Sequence, residues 1–369
     1  MRFVCPCLLG VERFVERDLY KIGAEDIEVE NGRVMFRGDV QTLAKANIWS
    51  RYAERVLILL GEFKVLSFDE LFERTKSLPW ENFIGKNDAF PVKGRSLSSK
   101  LASVPDCQSI IKKAIVERLK LKYKVSWFEE TGNTYQVQFL ILKDKVSLMI
   151  DTSGPGLHKR GYRAVSTLAP IKETLAATMA DIARVRNDQF VVDPFCGSGT
   201  LLIESALLAL NIAPGIKRRF LAETWDNVPK DVWSQERAAA RELINRDSKF
   251  YAVGYDIDDK AIEIANENIK KAGVAGRIRI EKRDINKFKE TRDTGIVICN
   301  PPYGQRLLDE KKARELYNVM GQKFTRKHGW SYYIISPDEQ FQKYFGRSSD
   351  RRRKLYNGMI KCQLYMYFK

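Results

Sequence analysis

The sequence predicts an α/β fold in which a doubly wound, mostly parallel sheet ends in an antiparallel hairpin. Three observations carry this prediction. Short apolar runs, each followed by a turn and a helix-like segment, recur through the second half of the chain. Two of these runs end in turns built of glycine or proline, which suit the carboxyl edge of a parallel sheet. The last two strand-like segments flank Asn357-Gly358, a pair typical of a tight hairpin.

Five strand-like segments precede the hairpin, and each has the length and apolar character of a buried strand. The predicted strands are 190–192, 250–256, 278–282, 296–299 and 332–336, and the hairpin arms are 351–356 and 359–368. Helix-like patterns run from 170 toward 185, over 201–210 and over 260–272. Gly273 is a suitable end for the last of these helices. This alternation of strand and helix predicts the doubly wound arrangement.

The first half of the chain predicts smaller α+β units. Residues 1–60 contain strands at 3–8 and 56–60, helices at 11–22 and 40–50, and a hairpin signal at Asn31-Gly32. The following segment contains an amphipathic helix at 108–121 and strands at 134–142 and 146–151. We therefore predict three domains, which span 1–60, 61–155 and 156–369.

Composition narrows the class of protein. A chain of 369 residues with 44% hydrophobic content can bury large cores. Its formal net charge of +16 favours a polyanionic partner such as nucleic acid, with an anionic membrane surface as the alternative. Nothing resembles a signal peptide or a membrane span, so we expect a cytoplasmic protein. Six scattered cysteines and two histidines predict reduced thiols and no metal site.

The tetrapeptide Asn300-Pro301-Pro302-Tyr303 follows the fourth predicted strand. Two successive prolines cannot continue a strand, so the chain leaves the sheet in a stiff turn. The Asn300 side-chain amide and the Pro301 carbonyl can both accept hydrogen bonds, which suits an NH2 group with two donors. Tyr303 offers a flat face on which a base can stack. The pattern favours alkylation of an amino group on a base or an amide, and the alternative is a simple tight turn.

A second turn follows the first of these strands and has the sequence DPFCGSGT over residues 193–200. Gly197 and Gly199 permit close approach of the backbone to a ligand where a strand passes into a helix. The turn is neither GxGxxG nor a GKS/T loop, so it does not predict a phosphate cradle. An aspartate at its front, Asp193, suits an amino-acid-like ligand that carries an ammonium group.

Acidic residues follow two further strands. Asp256 can accept two hydrogen bonds from the hydroxyl groups of a ribose. Asp284 is positioned for an adenine amino group. Ahead of both, Pro170 suits the first turn of a helix whose N-terminus can receive a carboxylate or a phosphate. We expect these groups to meet at the carboxyl edge of the sheet.

Two basic segments and one insertion leave alternatives open. Nine Lys and Arg residues between 93 and 124 form either a phosphate-contacting surface or a solvated helix face. The segment LHKRGYR over 157–163 either contacts nucleic acid or is a linker held by salt bridges. Residues 211–248 are a substrate-facing lid or packing, and packing is favoured for Trp225 and Trp233.

With these motifs in place, residues 160–369 resemble the class I S-adenosylmethionine (SAM) methyltransferases. The combination of LHKRGYR, APIKET, DPFCGSGTLLIE and NPPYGQRL is similar to the THUMP-domain RNA guanine-N2 methyltransferases, in particular the bacterial 23S rRNA large-subunit type. The resemblance implies a Rossmann-like, mostly parallel seven-stranded sheet with a C-terminal antiparallel hairpin in the third domain. It also implies that the first domain is ferredoxin-like and the second is a THUMP RNA-binding domain.

The resemblance also assigns roles to individual positions. The predicted catalytic residues are Asn300, Pro301, Pro302 and Tyr303. The predicted SAM contacts are Thr167, Pro170, Lys172, Glu173, Thr174, Asp193, Pro194, Phe195, Gly197, Ser198, Gly199, Thr200, Asp256, Ile257, Asp284, Ile285 and Asn300. The predicted RNA contacts are Lys93, Arg95, Lys100, Lys112, Lys113, His158, Lys159, Arg160, Tyr162 and Arg163. No metal ligand is assigned.

The implied activity is methylation of a guanine N2 amine with SAM, and 23S rRNA is the expected partner. The alternatives are tRNA guanine N2, adenine N6 in DNA, and a non-catalytic RNA-binding assembly factor. The DNA alternative stays open because NPPY binds an amino group and not a particular base. Some bacterial members carry a second methyltransferase domain, whereas this sequence stops after the hairpin, so we expect a single activity. The sequence predicts no oligomeric state.

Overall fold

Two sheets, one from each half of the chain, form the framework of the protein. The computed structural model describes residues 1–163, 171–303 and 310–368. Within these ranges each sheet has seven strands, and the first sheet ends at Asp151 whereas the second begins at Phe190. The α/β class predicted from the sequence is confirmed.

The first sheet is mostly antiparallel. Its strands are β1 (Arg2–Pro6), β2 (Glu25–Glu30), β3 (Arg33–Arg37), β4 (Leu57–Lys64), β5 (Val92–Leu97), β6 (Val137–Leu142) and β7 (Lys145–Asp151). The helices of this half are α1 (Glu12–Lys21), α2 (Val40–Trp49), α3 (Phe68–Lys76) and α4 (Val104–Tyr123). The strand order is β2-β3-β1-β4-β7-β6-β5, and β5 lies at the edge, parallel to β6. The predicted boundary between residues 60 and 61 falls inside β4, so the first two predicted domains share this sheet.

Local sequence signals set several of these elements. Asp39 caps α2, because its carboxylate accepts the Thr42 amide while the Thr42 hydroxyl accepts the Asp39 amide. Gly32 turns the β2–β3 hairpin with a φ of +77°, which confirms the Asn31-Gly32 signal. Strand β5 has no counterpart in the sequence prediction, because Lys93 and Arg95 break its apolar character.

The second sheet is parallel up to its last two strands. Its strands are β8 (Phe190–Asp193), β9 (Tyr251–Asp256), β10 (Ile278–Lys282), β11 (Gly295–Cys299), β12 (Trp330–Ser336), β13 (Arg351–Asn357) and β14 (Ile360–Tyr367). The helices of this half are α5 (Glu173–Ile182), α6 (Thr200–Ala209), α7 (Lys230–Glu242), α8 (Asp259–Ala272), α9 (Glu310–Lys323) and α10 (Phe341–Phe345). The order is β10-β9-β8-β11-β12-β14-β13, with β14 antiparallel to both neighbours. The predicted sheet with its closing hairpin is confirmed.

The order of strands reverses between β8 and β11, and this reversal places the site. Strand β8 pairs in parallel with β9 on one side and with β11 on the other. In an open α/β sheet, a crevice forms outside the carboxyl ends of the strands at such a switch point. Asp193 ends β8 and Asn300 follows β11, so the two predicted turns are neighbours although 107 positions separate them in the sequence.

The insertion at 211–248 fastens the second half to the first. Trp225 stacks on Tyr135 with ring centroids 4.5 Å apart, and its indole N–H donates to the Thr134 carbonyl at 2.9 Å. Trp233 stacks on Phe220 with a centroid distance of 5.3 Å. Both indoles are buried. The prediction that these tryptophans serve packing is confirmed.

One apolar core runs through both halves, since the largest buried cluster includes Phe3 and Ile58 of the first sheet and Leu202 and Phe250 of the second half. Buried polar contacts cross the same junction, and the Tyr52 hydroxyl donates to Asp181 at 2.7 Å. Over the described ranges, every helix is too short or too polar to cross a lipid bilayer.

Candidate active site

A cavity of about 690 Å³ opens at the carboxyl ends of β8, β9, β10 and β11. This volume lies within the usual range of small-molecule sites. Its lining includes the glycine turn after β8, the acidic residues after β9 and β10, and the turn after β11. The predicted residues in the lining are Asp193, Pro194, Phe195, Gly197, Ser198, Thr200, Asp256, Ile257, Asp284, Ile285, Asn300 and Pro302. The tertiary structure thus brings together four turns that the sequence keeps apart.

The glycine turn has the backbone shape that close approach requires. Gly197 has a φ of +50° and Gly199 has a φ of +79°, a region that glycine enters at little steric cost. Gly199 is the N-cap of α6, so the turn passes directly into the helix. The Asp193 carboxylate accepts the Phe195 amide at 3.0 Å, which fixes the start of the turn.

Asp193 is buried, and its environment disfavours the charged form. Burial, opposed by the Phe195 amide and assisted by the nearby Asp256 carboxylate, raises the pKa of the Asp193 carboxyl to about 8. A cationic ligand group beside Asp193 would favour ionisation. Because the carboxyl lines the cavity, it suits the ammonium group of an amino-acid-like ligand.

The two other acids are oriented by backbone amides. Asp256 accepts the Gly197 amide at 2.9 Å on one oxygen and the Asp258 amide at 3.0 Å on the other. Asp284 receives both the amide and the side-chain NH2 of Asn286 on Oδ1, at 2.7 and 2.8 Å. A carboxylate has about four lone-pair sites, so both acids retain the capacity to accept further donors.

Asn300 presents an acceptor without a partner. Its Oδ1 atom is buried and has no hydrogen bond from any described residue. The side chain lines the cavity together with Pro302, and Pro301 between them is buried. An unpaired buried acceptor of this kind costs about 1–3 kcal/mol unless a ligand donates to it. The acceptors and the volume of the cavity therefore fit a nucleoside with an amino-acid tail on one side and an amine on the other.

Tyr303 lies beside the turn but outside the cavity lining. Its hydroxyl oxygen accepts the Asn357 side-chain amide at 2.8 Å, which connects the turn after β11 to the tip of the β13–β14 hairpin. Burial raises the pKa of the Tyr303 hydroxyl to about 12, although the Asn357 bond lowers it. Stacking of a base on this half-buried ring stays a prediction.

Lys172, Glu173 and Thr174 at the start of α5 are absent from the described lining of the cavity, so their assignment as SAM contacts stays a prediction. The Lys172 ammonium lies 3.3 Å from Glu54 Oε2, and the Thr174 hydroxyl donates to Glu54 Oε1 at 2.8 Å. Glu173 is buried beside the Arg163 guanidinium, at 3.5 Å. Of this segment Ile171 lines the cavity, and the predicted contacts Thr167 and Pro170 lie outside the described residues.

The segment at 157–163 is largely built into the fold. Arg160 and Tyr162 are each 4% exposed, and both side chains meet Glu204. The Tyr162 hydroxyl donates to Glu204 at 2.9 Å, and the Arg160 Nε atom lies 3.5 Å from the same oxygen. Because both side chains are buried, they cannot contact RNA directly, and the prediction of RNA contact is wrong for these two residues. The alternative interpretation, a linker held by contacts within the fold, applies to them.

The remaining members of this segment differ in exposure. His158 Nδ1 lies 3.1 Å from Glu54 Oε2, and Arg163 donates to the Thr200 hydroxyl at 2.5 Å. Lys159 is exposed. The contacts of Glu54 with His158, Lys172 and Thr174 connect the first half of the chain to α5.

The basic residues between 93 and 124 also divide into two groups. Lys93 and Arg95 are exposed on the edge strand β5, and Lys100 and Lys113 are exposed as well. Lys112 forms an ion pair with Glu130 and lies 3.4 Å from the Phe90 ring centroid. Its charge is therefore compensated within the fold, which weakens its assignment as a phosphate contact.

Helix α9 contributes a wall of the cavity that the sequence prediction omits. Its contribution consists of Lys312, Glu315, Leu316 and Val319. The buried residues Ala313, Tyr317 and Met320 recur at spacings of three and four, so the helical period was present in the sequence. Arg283 and the α8 residues Lys260, Ala261 and Ile264 also line the cavity and belong to no predicted motif. Among the described residues, no three His, Cys, Asp or Glu side chains converge as a metal site would require.

Three family models match successive parts of the chain. The model described as "RMKL-like, methyltransferase domain" matches residues 160–366, which is more than half of the chain. The model of the RlmL ferredoxin-like domain matches residues 2–57, and the THUMP domain model matches residues 66–151. The order of the matches is the order of units that the sequence resemblance implies.

Curated relatives match over the whole chain. The chain is 43% identical over 362 residues to "Putative RNA methyltransferase YpsC" of Bacillus subtilis (strain 168), covering 98% of this chain and 94% of that protein. It is 33% identical over 382 residues to "Ribosomal RNA large subunit methyltransferase K/L" of Psychromonas ingrahamii, covering 100% of this chain. That match covers 50% of the K/L protein, so the chain spans about half the length of these longer relatives.

Solved structures share the fold from end to end. A structure described as a predicted N6-adenine-specific DNA methylase from Listeria monocytogenes has a TM-score of 0.93 at 45% identity, covering 100% of this chain and 96% of that one. SMU.472, described as a putative methyltransferase complexed with SAH, has a TM-score of 0.94 at 40% identity, covering 100% of this chain and 97% of that one. Identity of this extent indicates common descent as well as a common architecture.

Proposed function

The chain belongs to the RMKL-like methyltransferase family, and from that premise we propose that it transfers a methyl group from SAM to the N2 amine of a guanine in RNA. One observation carries the proposal. The unpaired Oδ1 of Asn300 lines the same cavity as Asp193 and Asp256. The amine that receives the methyl group and the nucleoside that donates it can therefore meet there. Buried polar atoms without a partner are uncommon in folded proteins and call for a functional explanation.

SAM is the cofactor that the family and the SAH-bound relative indicate. Three acids of the cavity would hold it: Asp193 the ammonium group, Asp256 the ribose hydroxyls and Asp284 the adenine amine. Charge-assisted hydrogen bonds of this kind contribute roughly 1.5–3 kcal/mol each. When bound, SAM supplies a methyl group made electrophilic by the positive sulfur.

Asn300 and Pro301 act on the acceptor. The Asn300 side-chain oxygen and the Pro301 carbonyl accept the two N–H groups of the guanine amine, and these bonds favour a pyramidal nitrogen with an available lone pair. The two prolines hold both acceptors in a stiff turn, so the geometry is set before the RNA arrives. Positioning of this kind can supply several kcal/mol of the barrier reduction, on the order of 7–11 kcal/mol at best.

A dedicated general base is not needed for the proton that the amine loses. Methylation places a positive charge on the nitrogen, which makes its proton acidic enough to pass to water. The described lining of the cavity contains no histidine. In this mechanism, the bonds from the amine to Asn300 and Pro301 keep the leaving proton aligned until transfer of the methyl group is complete.

RNA as the polymer is supported by the first half of the chain. The THUMP domain match covers residues 66–151, and the net charge of +16 is complementary to phosphate. Lys93, Arg95 and Lys100 are exposed and available for phosphate contacts. Large-subunit rRNA is the proposed substrate because the K/L relatives carry that name.

Label transfer followed by nucleoside analysis tests the proposal. The wild-type protein is incubated with methyl-labelled SAM and either 23S rRNA, total tRNA or genomic DNA, each from a strain that lacks the gene. We expect label in 23S rRNA, recovered as N2-methylguanosine by mass spectrometry. Asn300→Ala should transfer label at least about 10²-fold more slowly while it still binds SAM in calorimetry.

The same experiment separates the alternatives. Label in tRNA guanine would change the RNA class and keep the chemistry. Adenine N6 in DNA is a second candidate, because the NPPY turn selects an amine and the Listeria relative is described as an N6-adenine-specific DNA methylase. Label in DNA alone would therefore refute the RNA assignment. Absence of both SAM binding and label would favour a non-catalytic RNA-binding assembly factor.

A further inference from the structure

A largely exposed tryptophan lies in the first half of the chain and takes no part in the cavity. Trp127 is 75% exposed. All six tryptophans lie in the described residues, and among the other five Trp49 is half-buried and the rest are buried. Leu121, six residues earlier, is 70% exposed. Two large apolar side chains in water on one short segment are more than the single exposed residues that any surface carries.

The loop that carries Trp127 is anchored at several points. The next residue, Phe128, is buried and meets the Phe90 ring edge-on with centroids 6.0 Å apart. Glu130 accepts the Phe90 amide at 3.3 Å, and the Gly132 amide donates to the Asn87 carbonyl at 2.7 Å. Of the two adjacent aromatic residues, Phe128 therefore packs in the core and Trp127 lies in solvent. The backbone that carries Trp127 is therefore already ordered, so binding at the indole costs little further backbone entropy.

Two exposed lysines precede this indole in the chain. Lys122 and Lys124 form no salt bridge within the described ranges, although Lys122 lies near enough to Glu81 to lower the pKa of that carboxyl, and the exposed Glu129 follows the indole. Farther back on α4, Arg118 and Lys120 are paired with Glu81 and Glu117. Lys124 is three residues from Trp127, so their Cα atoms are at most about 11 Å apart.

Stabilisation of the helix explains only part of this arrangement. Lysines in the last turn of a helix interact favourably with its dipole, which accounts for the charge at the end of α4. The dipole does not account for an indole and a leucine in water beside those lysines. An aromatic ring next to exposed cations is the combination that binds single-stranded nucleic acid, because the ring stacks on a base while the cations contact phosphates.

We propose that Leu121, Lys122, Lys124 and Trp127, the Trp127 patch, bind unpaired nucleotides of the RNA substrate. The indole stacks on an exposed base, and the two lysines contact the flanking phosphates. The proposal rests on the RNA methyltransferase function proposed above and adds a second contact outside the catalytic cavity. Because every base has a π-face, this contact holds the RNA without selecting its sequence.

Tryptophan fluorescence offers a direct test, since Trp127 dominates the fraction of emission that iodide can quench. The probe is single-stranded oligoadenylate RNA, added to the full-length protein. We expect the RNA to quench this emission and to shield it from iodide. Trp127→Phe should lose both signals and bind within about threefold of wild type, because phenylalanine still stacks. Trp127→Ala should bind roughly 5- to 150-fold more weakly.

A matched control and a salt titration sharpen the result. Tyr20→Ala removes another ring, which is 63% exposed on α1, and should leave the affinity unchanged. Lys122→Gln combined with Lys124→Gln should lower the slope of log affinity against log salt by about 1.4, because each phosphate that a lysine neutralises on a single strand contributes about 0.7. Circular dichroism and SAM affinity of each variant should match wild type, which shows that the fold is intact.

The outcomes separate the patch from the proposed function. If the wild-type protein binds and methylates no RNA, the function fails and the patch with it. If it methylates RNA but Trp127→Ala binds the probe as wild type does, with emission unaffected by RNA, the patch proposal alone is overturned. Iodide shielding that grows with protein concentration in the absence of RNA would instead identify a protein–protein interface and would also overturn it.

Discussion

The carboxyl edge of the second sheet and the junction with the first half use polar side chains in opposite ways. At the edge, the Asn300 Oδ1 atom lacks a partner among the described residues and lines a cavity. At the junction, Glu54 is engaged by His158, Lys172 and Thr174. Both regions are rich in residues that the sequence marks as functional.

A missing hydrogen bond alone does not distinguish the two regions. Glu204 Oε2 at the junction also lacks a partner within the described structure, but Glu204 does not line the cavity, and its other oxygen meets Tyr162 and Arg160. The candidate site is marked by an unpaired acceptor that faces open volume. Variants in the two regions should therefore separate activity from stability.

Asn300→Ala should produce the largest change. Loss of a preorganised contact to the reacting group lowers kcat by about 10²–10³-fold or more. Stability should stay the same or rise, because the variant removes an unpaired buried acceptor. Single-turnover methyl transfer and urea unfolding measure the two effects. If Asn300→Ala lost as much free energy of unfolding as transition-state stabilisation, the proposed difference between the two regions would be wrong.

Glu204→Ala should affect stability instead. It leaves the buried Arg160 charge without its counter-ion and the Tyr162 hydroxyl without its acceptor, which costs on the order of 3–5 kcal/mol. The urea midpoint measures this loss. Glu204→Gln keeps an acceptor for Tyr162 but not the charge, so it should fall between wild type and Glu204→Ala. Equal stability of all three proteins would show that the buried contacts contribute nothing.

Asp193 predicts a pH profile for cofactor binding. Because its pKa in the free protein is raised to about 8, the carboxyl is mostly protonated at neutral pH. Ionisation must precede pairing with an ammonium group, so SAM affinity should rise up to tenfold per pH unit as the pH approaches 8. The α-amino group of the ligand loses its proton near the same pH, so affinity should peak there.

The matched variant isolates this effect. Asp193→Asn should bind SAM about 10- to 100-fold more weakly near pH 8, in line with the loss of a charge-assisted bond, and should lose the rising limb of the profile. Calorimetry over roughly pH 6–9, a range that brackets the raised pKa of about 8, measures both the SAM affinity and its change with pH. A rising limb that persists in Asp193→Asn would assign the titration to another group. For folding the sign is opposite: a raised carboxyl pKa favours the native state at low pH, and this contribution is lost as the pH rises from 3.8 toward 8.

Glu54→Gln should give the smallest effect. Burial would raise the Glu54 pKa, but the His158 bond, the Lys172 charge and the Thr174 hydroxyl together lower it to about 2. Its contribution to stability is therefore present above pH 4.5 and is lost as the pH falls toward 2. We expect a loss of about 1–2 kcal/mol at pH 7 and a flatter acid limb in urea unfolding. An unchanged acid limb would show that Glu54 does not stabilise the junction.

Most of the second sheet follows from local patterns in the sequence. Strand Ile278–Lys282 and the hairpin at Asn357-Gly358 lie where apolar runs and turn residues predict them. Gly273 ends α8 in the left-handed conformation, with a φ of +82°. The prediction omits β5, because Lys93 and Arg95 of this strand are exposed and show no apolar run. It also omits α9, because this helix, which comes after the NPPY turn, has only a short apolar period.

The candidate site was predictable where one short turn carries the chemistry. Asp193, Asp256, Asp284 and Asn300 each end or follow a strand, and parallel strands bring their carboxyl ends to one edge. Prediction fails for Arg160 and Tyr162, because a basic or aromatic residue in a motif-like segment looks the same whether it faces a ligand or a buried glutamate. The α9 wall of the cavity carries no motif at all.

The amino-acid sequence by itself determined the alternation of strands and helices, the turns at the strand ends and the kind of ligand that those turns suit. These properties depend on residues close together in the chain, where periodicity and backbone preference act. Only the tertiary structure decided which polar groups remain available. Pairing across the junction depends on residues more than a hundred positions apart, such as Glu54 and Lys172, and local patterns contain no information about such distant partners.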